Sequence, residues 1–326
     1  MRVRRIAGAL AAFCLAAPAI ADESARQLLA RMSEALARGS YSGEFLHSNG
    51  SHQERMRIVH RVRDGRVSER LVALEGNGRE VVREGDEVIC YLPDRRVALI
   101  ERRATGQPLL GTLPQFGADV EKWYELDIVD RDTKVLGGNA RVVAVRPRDQ
   151  YRFGYRLWID ERTYLPVRTE LCDAAGRAIE RVEFSALELR SDISDAEFEP
   201  AVDASGFRWV RQAREPARND LPWRVAGAPP GFRVSAAQYQ SFQGSAAPVP
   251  HLVVSDGLAT VSVFVEPRGG ESPGRSRLQR MQRVGASNTF TTSIEGHRVT
   301  AVGEVPSATV QAIASGLQPV TKASGR

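Results

Sequence analysis

Between Tyr151 and Leu189, apolar and polar residues alternate with a period of two, the pattern of strands whose faces meet different surroundings. Tyr155, Leu157 and Ile159 fall on one side of the alternation, Arg156 and Trp158 on the other. A polar Asp160-Glu161-Arg162 corner follows. Beyond it Leu165, Val167, Thr169 and Leu171 oppose Arg168 and Glu170. Pro166 falls near the start of that run, where a missing N–H disrupts pairing least. Asp173-Ala174-Ala175-Gly176 predicts a turn into a third run, Ile179–Leu189.

The period changes at the N-terminal end. Over Ser24–Arg38, Leu28, Met32 and Leu36 share a helical face with Leu29 and Ala35. Ser24 and Gln27 fit a capping box, and Gly39 is placed to stop the helix. Strand patterns then follow at Tyr41–His47, Glu54–Arg63, Val67–Leu74, Val88–Leu92 and Val97–Ile100, with Asp64-Gly65, Asn77-Gly78 and Gly85-Asp86 as punctuation. Lys134–Val145 reads as a hairpin around Gly137-Gly138-Asn139. About ten antiparallel strands and one helix predict an α+β unit built on a barrel-like sheet, open or closed.

Arg103–Phe116 interrupts this texture. It carries Leu109, Leu110, Leu113 and Phe116 among Gly and Pro, and a short helix with Trp123 and Tyr124 is predicted near Asp119–Tyr124. Such an apolar loop either plugs the end of a sheet or gates a cavity, and plugging is the commoner case.

Beyond an acidic Ser191–Asp203, Pro216, Pro222, Pro229 and Pro230 stud Phe207–Gly231, the expected boundary between two units. The second unit has hairpins around Ser255-Asp256-Gly257 and Glu295-Gly296. A helix starting at Pro306 follows, with Val310, Ile313, Ala314 and Leu317 as its apolar residues. The reading divides the chain into a leader 1–21, a first unit 22–205, a connection 206–220, a second unit 221–320 and a tail 321–326.

The leader reading rests on Arg2, Arg4 and Arg5 before the apolar Ile6–Ala17, with Ala19-Ile20-Ala21 fitting a small-x-small cleavage site. No Cys stands directly after the cleavage point, so a lipoprotein anchor is not indicated, and no later run reaches the roughly 18 apolar residues of a membrane helix. An exported periplasmic chain is expected. Losing three of the 45 basic residues and none of the 40 acidic ones lowers its balance from +5 to +2. That small charge argues against a nucleic-acid partner. Arginine dominates the cations, since only Lys122, Lys134 and Lys322 are lysines. A GC-rich genome gives the same bias without any function. Of the cysteines, Cys14 leaves with the leader; Cys90 and Cys172 either bridge or stay as buried thiols, the commoner outcome.

The sequence offers no reaction centre. It has no G-x-S-x-G, H-E-x-x-H, C-x-x-C or G-K-[ST] motif, and Gly76-Asn77-Gly78 reads as a turn. His47, His52, His60, His251 and His297 lack helical metal spacing, and solvated or structural roles outweigh ligation for them. No catalytic residue, cofactor or metal is assigned. Arg275, Arg277, Arg280 and Arg283 sit in Gly269–Gly285 with few acids nearby. They form either a solvated loop of an arginine-biased chain, the simpler reading, or a grip for acidic groups.

The helix Ser24–Arg38, Gly78–Asp94, YRLWIDERTYLPVRTELCDAAGRAIERVEF, Leu221–Val234, Val254–Glu266 and Val302–Ala314 resemble the RseB/MucB family of periplasmic regulators of the sigma-E envelope-stress response. The W-I-D…L-P-V-R stretch is also similar to the lipoprotein carriers LolA and LolB, which are single-domain. The resemblance implies an unclosed antiparallel barrel with helices and an apolar concavity, plus a smaller C-terminal α+β domain. It further implies binding of the periplasmic part of a membrane-anchored anti-sigma factor, its protection from regulated proteolysis, and release by lipopolysaccharide or another acylated lipid. From their chemistry, Leu109, Leu110, Leu113, Phe116, Trp123 and Trp158 are the cavity candidates, with core packing as the alternative. Arg275, Arg277, Arg280 and Arg283 are the candidates for acidic contacts. The competing function is a periplasmic lipid or lipoprotein carrier. Self-association is left open.

Overall fold

The computed structural model describes residues 23–50, 52–76, 78–102, 109, 116, 120–211, 221–241, 247–267 and 279–320. The leader, Leu110, Leu113, Arg275 and Arg277 lie outside the described residues.

Helix α1 spans Ala25–Arg38, with Ser24 as N-cap in a complete capping box with Gln27. Gly39 ends it in extended backbone, and a Cβ there would stand 2.5 Å from the Ala35 carbonyl oxygen. Glycine is needed for room, not for a left-handed conformation. Strands β1 (Tyr41–Asn49), β2 (His52–Arg63), β3 (Arg66–Ala73), β4 (Glu80–Glu84), β5 (Glu87–Leu92) and β6 (Val97–Arg102) follow as one antiparallel meander. The turn between β2 and β3 places both Asp64 and Gly65 at positive φ, which suits a tight hairpin.

From β6 the chain crosses to the far edge of the same sheet. It returns through β7 (Tyr124–Val135), β8 (Gly138–Pro147), β9 (Gly154–Asp160), β10 (Pro166–Cys172) and β11 (Ala178–Leu189). β11 pairs with β1, so the two meanders join in the middle of the sheet. A short β12 (Arg208–Arg211) adds to β6 in parallel. The twelve strands run β12-β6-β5-β4-β3-β2-β1-β11-β10-β9-β8-β7, an open sheet ending at β12 and β7.

α1 stands on one face of this sheet. Leu28, Leu29 and Met32 pack with Tyr124, Val143, Val145, Leu157 and Ile159. Ala35 and Leu36 reach a second cluster of Tyr41, Phe45, Met56, Ile58, Leu71, Leu165, Val182 and Phe184. One helix thus touches both meanders, and the sheet wraps it.

The second unit is a six-stranded sheet of order β14-β15-β16-β19-β18-β17: β14 (Arg233–Gln240), β15 (Val249–Ser255), β16 (Thr260–Glu266), β17 (Arg280–Val284), β18 (Ser287–Ile294) and β19 (His297–Gly303). Helix α2 (Ser307–Ser315) covers one face. Val310, Ile313 and Ala314 join Val261, Val263, Phe290, Val299 and Ala301 in its core. A two-stranded ribbon of β13 (Trp223–Val225) and β20 (Leu317–Pro319) completes it.

The expected α+β class and unclosed sheet are observed, with three local corrections. The helix expected near Asp119–Tyr124 is a single 3₁₀ turn, Val120–Lys122, because Tyr124 is already paired with Pro147 in β7. Arg280 and Arg283 belong to an edge strand instead of a loop, since pairing with β18 recruits a segment of poor alternation. Part of the expected connection 206–220 is strand β12, held by the free edge of β6. Removing the central helix contact should be costly. Leu28→Ala is expected to lower unfolding free energy by about 2–5 kcal/mol, read as a lower denaturant midpoint at unchanged m-value.

Candidate functional site

Two features of the α1 face bear on function: its partly polar interior and the end where the second unit meets it. In the interior, Tyr41, His60, Glu69 and Arg83 lie in register across β1 to β4. His60 Nδ1 is 3.0 Å from Glu69 Oε1, and Arg83 Nη1 donates to Glu69 Oε2 at 3.2 Å. All four side chains are buried. Burial, and then the Glu69 charge, pushes the Tyr41 phenol far above its usual range. His60 is held in this buried network through Glu69. Among the described residues no cluster of His, Cys, Asp and Glu is arranged to hold a metal.

The second unit meets the end of this face formed by Trp123, Tyr124, Arg152, Phe153, Tyr155, Leu171 and Glu180. Arg152, in the turn between β8 and β9, has a fully buried side chain. Its Nε donates to Asp256 Oδ2 at 2.5 Å, from the turn between β15 and β16. Its Nη1 donates to Asp149 and its Nη2 to the Pro230 carbonyl. The guanidinium also lies over Trp123 at 4.8 Å and Phe232 at 4.9 Å. Asp256 Oδ2 accepts from the Tyr124 hydroxyl as well, while Oδ1 accepts from the Leu258 and Ala259 amides. Every polar atom of this buried pair has a partner, the condition under which such a pair is tolerated.

Around it, Leu258 packs on the α1 cluster and Ala286 on Phe153 and Leu171. Thr309 of α2 donates to the Tyr151 carbonyl at 2.7 Å. Gly285 lies against Asn49 so closely that any side chain there would strike it. Glu304 faces Glu180 beside a narrow gap lined by Tyr155, Thr169, Leu171, Arg181 and Val182. Glu180 is already engaged by His47 Nε2 at 2.9 Å and Asn49 at 3.1 Å. Glu304 is exposed over much of its surface; partial desolvation of its carboxyl, and then the Glu180 charge, still lift it to about 7 against an opposing pull from His47.

The predicted cavity residues divide. Leu109 packs on the Tyr41–Phe184 cluster, while Phe116 and Trp123 join the α1 cluster. Phe116 stands edge-on to Tyr155 at 6.4 Å. These three share the α1 face. Trp158 does not: it falls on the opposite parity of β9, under the guanidinium of Arg168 at 4.3 Å. Of the arginines, Arg280 and Arg283 are exposed on β17, and Arg283 Nε donates to the Gly285 carbonyl at 2.8 Å. No disulfide joins Cys90 and Cys172; burial raises the Cys172 thiol. Sequence reasoning missed Arg152, Glu180, Asp256 and Glu304. Each stands in or beside a turn or in a charged strand, where its residue type is ordinary, and only tertiary contact sets it apart.

Known proteins share this two-unit architecture. The model of the MucB/RseB N-terminal domain matches residues 24–202, and that of the MucB/RseB C-terminal domain matches 217–318. The chain belongs to the MucB/RseB family. It is 32% identical over 307 residues to the sigma factor AlgU regulatory protein MucB of Pseudomonas aeruginosa, covering 94% of both chains. The structure of the Pseudomonas aeruginosa MucA/MucB complex matches with a TM-score of 0.73 at 29% identity, over 91% of this chain and 99% of that one. A crystal structure of MucB matches with 0.65 at 30% identity, over 91% and 98%. Within this family architecture the Arg152–Asp256 pair joins a residue of the N-terminal match to one of the C-terminal match.

Glu304 makes the strength of the junction depend on pH. A docked Glu304 near 7, against the ordinary 4.5, means that the docked form holds its proton more tightly. Docking is then strongest at low pH and weakens as pH climbs from 4.5 to about 7. Glu304→Gln removes that loss. The variant is expected to melt at a higher temperature than the parent at pH 8, with the difference shrinking toward pH 5. A constant difference at both pH values would contradict the assignment.

Proposed function

We propose that this chain is an exported periplasmic regulator that binds the periplasmic segment of a membrane-anchored anti-sigma factor. In doing so it shields the segment from regulated proteolysis and keeps a sigma-E-type stress response off. Lipopolysaccharide or another acylated envelope lipid releases the segment. The supporting observation is the family match across both units, together with a solved relative whose structure is a complex with MucA. Residues 1–21 act as a cleaved export signal in this reading. Among the described residues no helix is long and apolar enough to cross a membrane.

The chemistry of the molecule is compatible with both ligands. The α1 face offers Leu109, Phe116 and Trp123 to an acyl chain, with Leu110 and Leu113 as sequence-based additions. The exposed edge of β17 offers Arg280 and Arg283 to acidic groups, with Arg275 and Arg277 just upstream. An edge strand also presents unpaired backbone groups to an extended segment. A regulatory binding role needs no catalytic group.

The decisive measurement is binding of a synthetic periplasmic anti-sigma segment to the full chain. Association at micromolar concentrations, reversed by lipopolysaccharide, is expected. No association, alongside transfer of a lipoprotein between membranes, would replace this reading with that of a carrier, which the open sheet and its apolar interior would also suit. Replacing Arg275, Arg277, Arg280 and Arg283 together by Ser is expected to weaken binding of the segment or of lipopolysaccharide. Unchanged affinity for both would remove the arginines from the site.

A further inference from the structure

We propose that the free edge of β17 receives an extended segment of the partner as an added strand of the second sheet, with acidic residues opposite Arg280 and Arg283. The inference deepens the anti-sigma-binding reading and rests on it. Among the described residues the two large sheets end at β12 and β7 in the first unit and at β14 and β17 in the second. Sheet edges are commonly guarded against further pairing by bulges, shortness or charge. β7 has breaks in register between Ile128 and Asp130 and between Asp130 and Thr133. β14 has one between Val234 and Ala236, and β12 is four residues long. β17, in contrast, pairs with β18 without a break from Arg280 to Val284, and all of its residues are exposed. It holds no Pro, and Val284 is 81% exposed, the highest value among the large apolar residues described. Its outward backbone groups are regular, accessible and guarded only by charge.

That charge selects the occupant. Pairing with the same strand of a second copy would bring the two arginines of each onto one short ladder, and like charges facing each other across strands are destabilising. An acidic segment meets no such opposition. Arg280 makes no hydrogen bond or ion pair with a described residue. Arg283 spends its Nε on the Gly285 carbonyl, which leaves both Nη groups for a carboxylate. Parity then sets the order of the residues. Met281 and Arg283 stand opposite Phe290 and Asn288, on the side that α2 covers, while Arg280, Gln282 and Val284 fall on the other side. Every pair in this sheet is antiparallel. An antiparallel segment therefore reads acid, any residue, apolar residue, acid, and its apolar side chain covers the exposed Met281. Past Val284 the chain packs Gly285 against Asn49 of the first unit, so a segment that continues beyond that end of β17 reaches both units.

The test uses the full chain and the synthetic periplasmic anti-sigma segment. Single N-methylation along the segment is expected to lower affinity at every second residue over a stretch of about five, because only alternate N–H groups face the edge. In the full chain, alternate β17 amides that exchange freely without the segment are expected to become protected with it, read by NMR hydrogen exchange. Arg280→Glu, on an exposed edge, is expected to keep the circular dichroism spectrum and to lower affinity by about tenfold, with a smaller effect at high salt. Unchanged affinity of that variant overturns the acidic complement. Binding with β17 exchange unaltered and no period of two in the N-methyl series overturns the pairing and leaves the functional reading in place. No association of the segment overturns both.

Discussion

A single guanidinium, that of Arg152, fixes how the two halves of this molecule meet. Neither sheet supplies all of its partners: Asp149 comes from the first, Asp256 and the Pro230 carbonyl from the second. Removing one partner of a buried pair typically costs about 3–5 kcal/mol, a large part of the 5–15 kcal/mol by which domains are usually stable. The geometry around it follows from that constraint. Gly231 must be glycine for the second unit to approach Trp123, and the β15–β16 turn must present Asp256 inward. The docked hairpin turn at Gly285 and Ala286 then falls beside Asn49 and Leu171.

The strands were legible because their signals are local. The alternation of Tyr155, Leu157 and Ile159 against Arg156 and Trp158 predicts a two-faced strand, and β9 divides its residues in that way. Asp64-Gly65, Glu295-Gly296 and Ser255-Asp256-Gly257 mark turns because few residues accept positive φ, and all three are turns here. The capping box at Ser24 is likewise readable within four residues. What escaped was set by distant partners. Trp158 looks like a cavity aromatic in sequence, yet its parity puts it on the outer face, between Arg156 and Arg168. β12 exists because β6 has an edge to complete, which nothing in Arg208–Arg211 announces.

The site was legible to the same degree. Leu109 and Phe116 drew notice as apolar residues in a segment that breaks the strand pattern, and Trp123 as an aromatic in the short helix expected after it; the three share the α1 face. The charged junction had no such mark. In a chain with 45 basic and 40 acidic residues, a particular Arg–Asp pair has no sequence signature. The abundance of arginine also has a structural use that favours the bland reading of most of them. Buried Glu170 alone is approached by Arg156, Arg168 and Arg181, so much of the bias is absorbed by pairing within the sheet.

The topology explains why the α1 face of the first unit and the junction are neighbours. The chain crosses from β6 to the opposite edge before returning; Leu109 and Phe116 of that crossing lie on the α1 face, and Val120–Trp123 stands directly before β7. Tyr124 opens β7 and is the residue that hydrogen-bonds Asp256. Trp123 and Tyr124, which touch the interdomain pair, thus follow directly on the connection in sequence. A sheet closed into a barrel would have no such crossing to occupy, and its interior would communicate with a second domain only through a loop at its rim. Trp123 therefore serves at once in the packing under α1 and as support for the guanidinium that holds the second unit.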